Sequence, residues 1–150
     1  MQETQSPLDL LSANVRGEVF SPDTEGYNDA RQLWNGTIDK KPAVIVRCTG
    51  VADVIEAVNY AREHGLGVAI RSGGHHVAGG ASIDDGLVID LSGMQSVHVD
   101  PATGRVRVDG GTLLGKVDHE TAAFGLAVPT GVYSQTGVGG IALGGGDDLG

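Results

Sequence analysis

Strand, helix and strand patterns follow one another without a break in the first half of the chain, and this order most constrains the fold. Residues 43–47 are an apolar run after Pro42, residues 51–64 repeat apolar side chains at helical spacing, and residues 67–71 return to a strand pattern. Two strands joined by a helix normally lie parallel in one sheet. The helical repeat is carried by Val51, Val54, Ile55, Val58 and Ala61.

The patterns that follow add a strand, a hairpin and a second helix. Residues 87–91 are apolar, and residues 96–99 and 105–109 alternate in strand fashion on either side of a short turn. A helix is predicted over residues 112–124, with Thr112 as its capping residue. These elements predict an α+β fold with a βαβ unit and a β-hairpin.

One domain is expected over residues 31–150. The preceding residues 1–30 are interpreted as an N-terminal extension, which begins with a short helix that Ser6 can cap and that has Pro7 at its first position.

Two glycine-rich stretches are typical of ligand loops. The first glycine stretch, residues 67–80, leads from a strand into four glycines and two adjacent histidines. The second glycine stretch, residues 129–150, is a further segment in which glycines are concentrated. Gly73 and Gly74 can adopt positive φ and bring successive backbone N–H groups close to an anion. The first stretch also follows the carboxyl end of a strand, where open α/β folds bind ligands. Together the two stretches could hold two parts of one extended ligand.

Three segments carry a family resemblance. They are Arg-Ser-Gly-Gly-His at residues 71–75, Leu-Ala-Val-Pro-Thr-Gly at residues 126–131, and the glycine-rich residues 136–146. In this order they resemble the FAD-binding (PCMH-type) domain of the vanillyl-alcohol oxidase and p-cresol methylhydroxylase family, and most of all its berberine-bridge-enzyme-like bacterial oxidoreductases. The resemblance extends over roughly residues 30–146.

The resemblance implies FAD as the cofactor and a set of residues that bind it. The first stretch would hold the phosphates through backbone N–H groups, and the second would face the flavin and ribityl part. The implied residues are Arg71, Ser72, Gly73, Gly74, His75, His76, Gly79, Gly131, Ser134, Thr136, Gly137, Gly139, Gly140 and Ala142.

His75 has a more specific role by resemblance. In many members of the family the matching histidine is bonded to the 8α-methyl carbon of FAD, and a neutral imidazole nitrogen is a suitable nucleophile for that bond. The residues alone favour a loop histidine that hydrogen bonds to backbone, and the resemblance reverses this preference. Tyr133 stands near the place where some relatives have a second attachment cysteine, and the single thiol, Cys48, is distant in sequence. Any covalent attachment is therefore expected to be single.

The resemblance implies an FAD-linked oxidoreductase, in which a small alcohol, sugar or secondary metabolite passes hydride to the flavin N5. Family members continue for hundreds of residues beyond the triple glycine and include a substrate domain, whereas this sequence ends shortly after Asp147 and Asp148. The alternative is therefore a truncated FAD-binding fragment without turnover of its own. A general phosphate-binding module without flavin is a third interpretation.

Composition and spacing weigh against other classes of protein. The net charge is −9 and the ten Lys and Arg residues are scattered, so a nucleic-acid partner is not expected. The sequence has neither an apolar run of membrane-spanning length nor a secretory signal, and we expect a cytoplasmic protein.

Two rival ligand sites are also disfavoured. The adjacent His75 and His76 rarely converge on one ion, and we expect no metal. A Rossmann fold is disfavoured because Gly137-Val138-Gly139-Gly140 differs from its fingerprint. We also expect neither glycine stretch to open a helix with an acidic residue about 20 positions on.

Overall fold

The computed structural model describes residues 5–145 and confirms the α+β class. Five helices and six strands occur in the described part of the chain. In chain order they are α1 (Pro7–Asn14), β1 (Glu18–Phe20), α2 (Tyr27–Ala30), β2 (Val44–Arg47), α3 (Val51–Glu63), β3 (Val68–Arg71), β4 (Leu87–Asp90), β5 (Val97–Asp100), β6 (Arg105–Val108), α4 (Leu114–Ala122) and α5 (Val138–Gly144).

A four-stranded sheet in the order β1-β2-β4-β3 organises the domain. The strands β2 and β3 have the same direction, as predicted, but β4 lies between them and pairs in parallel with both. All four side chains of β4 are buried, whereas those of β3 alternate between exposed and buried. A strand that is apolar on both faces fits the centre of a sheet, and an alternating strand fits its edge.

The core consists of two clusters of buried side chains on opposite faces of this sheet. Successive residues of a strand point to opposite faces, so Val44 and Val46 join one cluster while Ile45 joins the other. The helices α1 and α3 cover the first cluster through Leu11, Ala57 and other side chains. Tyr27 and Ala30 of α2 belong to the second cluster.

The N-terminal segment differs from the expected extension. The capping box of Ser6 and Asp9 starts α1, as the sequence indicates. However, β1 then pairs antiparallel with β2, and the hydroxyl of Tyr27 donates a 2.7 Å hydrogen bond to the Pro42 carbonyl. Residues 7–30 are therefore packed into the domain, and the three residues of β1 are too few to show a strand pattern in the sequence.

The buried face of α3 also differs from the predicted stripe. Ala61 is buried as predicted and Val54 packs against the core, but Ala57, outside the predicted stripe, is also buried. Val51 and Ile55 are 68% and 53% exposed. Small side chains allow the helix to approach α1 and the sheet closely. The face of α3 that carries the alanines therefore lies against the core, and the face with the larger Val51 and Ile55 lies toward solvent. Spacing alone could not distinguish these two faces, because both are apolar.

Asp53 joins the N-terminal segment to α3. Its buried carboxylate accepts hydrogen bonds from the backbone N–H groups of Arg16 (2.8 Å), Gly17 (3.1 Å) and Thr49 (2.8 Å). Burial alone would raise the pKa of Asp53, but these hydrogen bonds outweigh it and the pKa is lowered. The carboxylate is thus a structural acceptor for three N–H groups.

Asp53→Ala is expected to lower the free energy of unfolding by about 3 kcal/mol, because the N–H groups of Arg16, Gly17 and Thr49 lose a charged acceptor. Urea unfolding followed by circular dichroism measures this loss. Asp118→Ala removes an exposed carboxylate from α4 and is the control, with an expected change within about 0.5 kcal/mol. Equal midpoints for the two variants would contradict the assigned role of Asp53.

Candidate functional site

Both glycine stretches line one cavity at the carboxyl end of β3, with a volume of about 670 Å³. Nine of the fourteen residues predicted to form the site line it. They are Ser72, Gly73, Gly74, His75, His76, Thr136, Gly137, Gly139 and Gly140. Most of the residues predicted in the two glycine stretches thus line the same cavity.

The two stretches touch each other at Gly73 and Gly137. A Cβ atom added to Gly73 would lie 2.4 Å from the backbone N of Gly137, and one added to Gly137 would lie 2.3 Å from the backbone N of Gly73. Real Cβ atoms do not approach other atoms so closely, so glycine is required on both sides. This close approach makes one site from segments about 60 residues apart in the sequence.

Side-chain hydrogen bonds reinforce this contact. The Ser72 hydroxyl donates to the Gly110 carbonyl at 2.6 Å, which ties the first stretch to the end of the β5-β6 hairpin. His75 Nε2 lies 3.1 Å from the Gln135 carbonyl oxygen in the second stretch. The floor of the cavity is therefore connected to the sheet, the hairpin and the second stretch at once.

Arg71 serves the framework of the site instead of its lining. Its guanidinium group donates to the buried Asp90 carboxylate at 2.7 Å and to the Gln32 carbonyl at 3.2 Å. Asp90 also accepts from Arg47 at 3.1 Å. Burial would raise the pKa of Asp90, but the hydrogen bond and charge of Arg71, with hydrogen bonds from Ser92, outweigh it and the pKa is lowered.

Four other predicted residues also lie outside the cavity lining. Gly79 has positive φ and packs against Ile38, and Gly131 lies against the Ile141 side chain. The Ser134 carbonyl accepts the Gly115 N–H at 2.8 Å, so this residue holds the second stretch against α4. The fourth residue, Ala142, is exposed on α5.

The second stretch opens a helix, which the sequence analysis did not expect. Gly137 is the N-cap of α5, and the next residue, Val138, donates its N–H to the Thr112 carbonyl at 2.8 Å. Thr112 itself is buried and does not cap α4, whose N-cap is Leu113. The hydrogen bond between Val138 and Thr112, just before α4, therefore fixes where α5 begins.

Several lining residues were not predicted. Ile70 could have been found from the alternation in β3, because it points away from the buried Ala69. Gly110 comes from the hairpin, and no sequence signal places it at the cavity. The other residues missed are Gly80, Ala81, Leu91, Ile141, Leu143, Gly144 and Gly145.

The cavity offers two kinds of surface to a ligand. The backbone N–H groups of Gly73, Gly74, His75 and His76 have no hydrogen-bond acceptor among residues 5–145, and such a row of donors suits a phosphate or diphosphate. Another part of the lining is formed by Ile70, Leu91, Ile141 and Leu143, which suit a flat apolar ring. The residues present therefore fit a phosphate-bearing ligand with a large ring system.

The two histidines have different partners. A carbonyl oxygen can only accept, so His75 Nε2 carries the hydrogen toward Gln135, and in the neutral form of the imidazole the lone pair is on Nδ1. His76 Nδ1 instead accepts the Gly80 N–H at 3.1 Å. Within residues 5–145, no group of three or more His, Cys, Asp or Glu side chains is arranged to hold a metal ion.

The fold and the site define a domain with a cavity between two glycine-rich segments that fits an extended cofactor. A family model described as "FAD binding domain" matches residues 42–147, which is more than half of the chain. The chain belongs to this family of FAD-binding domains, and FAD is its cofactor.

Curated relatives and solved structures agree with this assignment. The chain is 41% identical over 133 residues to (R)-6-hydroxynicotine oxidase of Paenarthrobacter nicotinovorans, which covers 89% of this chain and 29% of that protein. An FAD-linked oxidoreductase of Dictyostelium discoideum is 38% identical over 89% of this chain and 29% of its own length. The chain thus spans less than a third of these relatives.

Two solved structures share the fold. A crystal structure of 6-hydroxy-D-nicotine oxidase from Arthrobacter nicotinovorans has a TM-score of 0.79 at 41% identity, over 82% of this chain and 27% of that one. The berberine-bridge-enzyme-like protein 1 of Physcomitrella patens has a TM-score of 0.80 at 28% identity, over 91% of this chain and 30% of that one. The predicted berberine-bridge-enzyme-like relationship is confirmed.

Proposed function

We propose that this chain is the FAD-holding part of a flavin-dependent oxidoreductase that oxidises a small alcohol, sugar or secondary metabolite by hydride transfer to the flavin N5. The observation that carries the proposal is the contact of Gly73 with Gly137, which joins a row of N–H donors to an apolar surface in one cavity. Relatives include a hydroxynicotine oxidase and a grass pollen protein with glucose dehydrogenase activity.

The contribution of this chain is to bind the FAD cofactor and to orient it. The N–H groups of Gly73, Gly74, His75 and His76 would hold the diphosphate, and the apolar lining around Ile70 and Leu143 would hold the ring. When bound, FAD supplies the redox chemistry, and the protein sets its position.

We further propose that His75 is the point of covalent attachment. Its Nε2 hydrogen is directed to the Gln135 carbonyl, so Nδ1 is the nitrogen with a free lone pair. His75 Nδ1 would hold the cofactor by a bond to its 8α-methyl carbon. That bond would replace one hydrogen of the methyl group and the hydrogen of the imidazole, and dissolved oxygen would take up both hydrogens with the electron pair as hydrogen peroxide.

The alternative function is a fragment that binds FAD without turnover, and two observations favour it. Among the described lining residues only His75 and His76 are ionisable. His75 is the proposed attachment point and His76 Nδ1 already accepts the Gly80 N–H, so this part of the lining offers no carboxylate or tyrosine as a base for substrate deprotonation. Leu143 at the cavity is 92% exposed, and Val132 and Tyr133 nearby in the second stretch are 80% and 75% exposed. A further segment of a longer protein would cover such a surface.

His75→Ala is expected to abolish the flavin fluorescence that stays with the polypeptide after acid denaturation. His76→Ala is the matched control and should retain it, because His76 Nδ1 already accepts the Gly80 N–H. Protein expressed with ample riboflavin is denatured, separated by gel electrophoresis and scanned for flavin emission. Flavin that stays attached to the His75→Ala chain would contradict the assignment.

Binding and turnover measurements separate the functions. FAD bound more tightly than ADP supports the flavin site, whereas equal affinity for ADP and FAD would indicate a general phosphate-binding module. Turnover of a panel of alcohols and sugars by the flavin-loaded chain would exclude the non-catalytic fragment, and flavin binding without turnover would select it.

A further inference from the structure

We propose that Trp34 is a positioning residue for His75, and that residues 31–40 form a strap that holds Trp34 against the first glycine stretch. The strap precedes β2 in the chain and lies outside the fourteen residues assigned to cofactor binding. The consequence for flavin attachment rests on the proposed function, but the positioning of the imidazole does not.

The strap is fastened to the first stretch along its length. The Gln32 carbonyl accepts from Arg71 at 3.2 Å, and Asn35 Nδ2 donates to the Val77 carbonyl at 3.2 Å. Lys40 Nζ donates to the carbonyls of Gly79 at 2.8 Å and Ser82 at 3.0 Å. These bonds are distributed on both sides of Trp34 in sequence, so the backbone that carries the indole is fixed.

Close packing adds to these hydrogen bonds. Ile38 lies so near Gly79 that a Cβ atom there would be 2.8 Å from the Ile38 side chain. The Asn35 side-chain oxygen accepts from the Thr37 N–H at 3.1 Å and from its hydroxyl at 2.8 Å, which fixes the turn that follows Trp34. The strap is therefore packed firmly against the first glycine stretch.

Trp34 contacts the imidazole of His75. The two ring centroids are 5.2 Å apart with an interplanar angle of 30°. Trp34 is 71% exposed, so burial in the core does not explain its place. A hydrogen bond to Gln135 restrains Nε2, and the indole restrains the ring face, so together they limit rotation about both side-chain torsions of His75.

A second aromatic pair in the chain provides a matched control. Tyr60 on α3 and His64 at its C-cap stack with centroids 4.1 Å apart, away from the cavity lining. This pair has the same kind of ring contact without a place in the site. It can report whether an effect arises from ring stacking in general or from the position of Trp34.

The decisive experiment is NMR of the cofactor-free full chain with labelled histidine. In the wild type, the indole ring current should shift the ring protons of His75 upfield. Trp34→Leu should move these signals downfield and bring the Hα–Hβ couplings of His75 toward rotamer-averaged values, and it should leave the signals of His64 unchanged. Tyr60→Leu should instead move the signals of His64 and leave the shifts and couplings of His75 unchanged. Unchanged His75 couplings in Trp34→Leu would contradict a positioning role. Unchanged His75 signals in Trp34→Leu would overturn the proposal, whatever the protein does with flavin.

A second measurement follows the rate of covalent flavin attachment on mixing the cofactor-free chain with FAD. Trp34→Leu should lower this rate about two- to tenfold, and the conservative Trp34→Phe should restore most of it. Attachment to Trp34→Leu at the wild-type rate would overturn a role in attachment. If the wild-type chain binds FAD only reversibly, covalent attachment at His75 fails, and the NMR result alone still decides whether Trp34 positions the imidazole.

Discussion

Gly137→Ala is expected to weaken FAD binding by about 100-fold. The added methyl group would lie 2.3 Å from both the Gly73 backbone N and the Ser72 hydroxyl oxygen, so the two glycine stretches must separate. Overpacking of this kind costs about 1–3 kcal/mol, and both atoms belong to the fixed floor of the cavity, which places the loss near the upper end. Fluorescence titration with FAD measures the affinity, in a His75→Ala background that keeps binding reversible.

Two further variants test the origin of this loss. Gly50→Ala is the control, because a Cβ atom there meets nothing within 4 Å and the backbone is extended; its affinity should equal that of the His75→Ala parent. Gly73→Ala should resemble Gly137→Ala, and the double variant should lose less than the sum of the two, because both changes break the same contact. Additive losses, or a normal affinity for Gly137→Ala, would contradict contact between the stretches as the cause.

Asp90→Ala is expected to be the most destabilising of the proposed substitutions, at about 3–5 kcal/mol. Asp90 is 1% exposed at the end of the central strand and accepts from both Arg71 and Arg47. Its removal leaves the buried Arg71 without a carboxylate. Because a domain of this size has a net stability of about 5–15 kcal/mol, urea unfolding should detect the change as a large shift in midpoint.

Glu18→Ala is the matched control for Asp90→Ala. It removes the other carboxylate partner of the same Arg47, but the Glu18 side chain is 64% exposed, so its loss should cost under about 1 kcal/mol. Comparable losses in the two variants would show that burial of the ion pair is not what makes Asp90 important.

The lowered pKa of Asp90 also predicts an acid dependence. An unfolded aspartate has a pKa of about 3.9, so the stability that the carboxylate contributes is fully present above about pH 4. It is lost as the pH falls through the lower pKa of the folded state. The unfolding midpoint of the wild type should therefore fall more steeply below about pH 4 than that of Asp90→Ala, and parallel curves would contradict this.

The βαβ unit, the hairpin and the position of the first glycine stretch could be predicted because each depends on a local pattern. The apolar run of β2, the helical repeat of α3 and the turn before β6 each specify structure within a few residues of themselves. The family resemblance then added the cofactor. Cytoplasmic location and the lack of a nucleic-acid partner stay predictions; in the described residues no helix is both long and apolar enough to cross a membrane.

The features that were missed depend on contacts between distant residues. The insertion of β4 between β2 and β3 is decided by burial on both faces of β4, and the position of Gly110 at the cavity depends on the fold of the hairpin. The binding of Arg71 to the cofactor stays a prediction, and its hydrogen bond to Asp90, 19 residues away, has no signal in the sequence. The two aspartates at 147 and 148 and the final residue of the triple glycine lie outside the described residues.

The 60-residue separation between His75 and Gln135 has a consequence for the order of events during synthesis. The sheet that supports the first glycine stretch is complete once β4 has been made, but the second stretch leaves the ribosome later. The contact between His75 and Gln135 closes a 60-residue loop, which is slow relative to local folding. The cavity does not exist before this loop has closed. Cofactor loading is therefore expected to wait until the second stretch has been made, on a sheet that has already folded, and a riboflavin-starved cell should accumulate folded chain that can still be loaded.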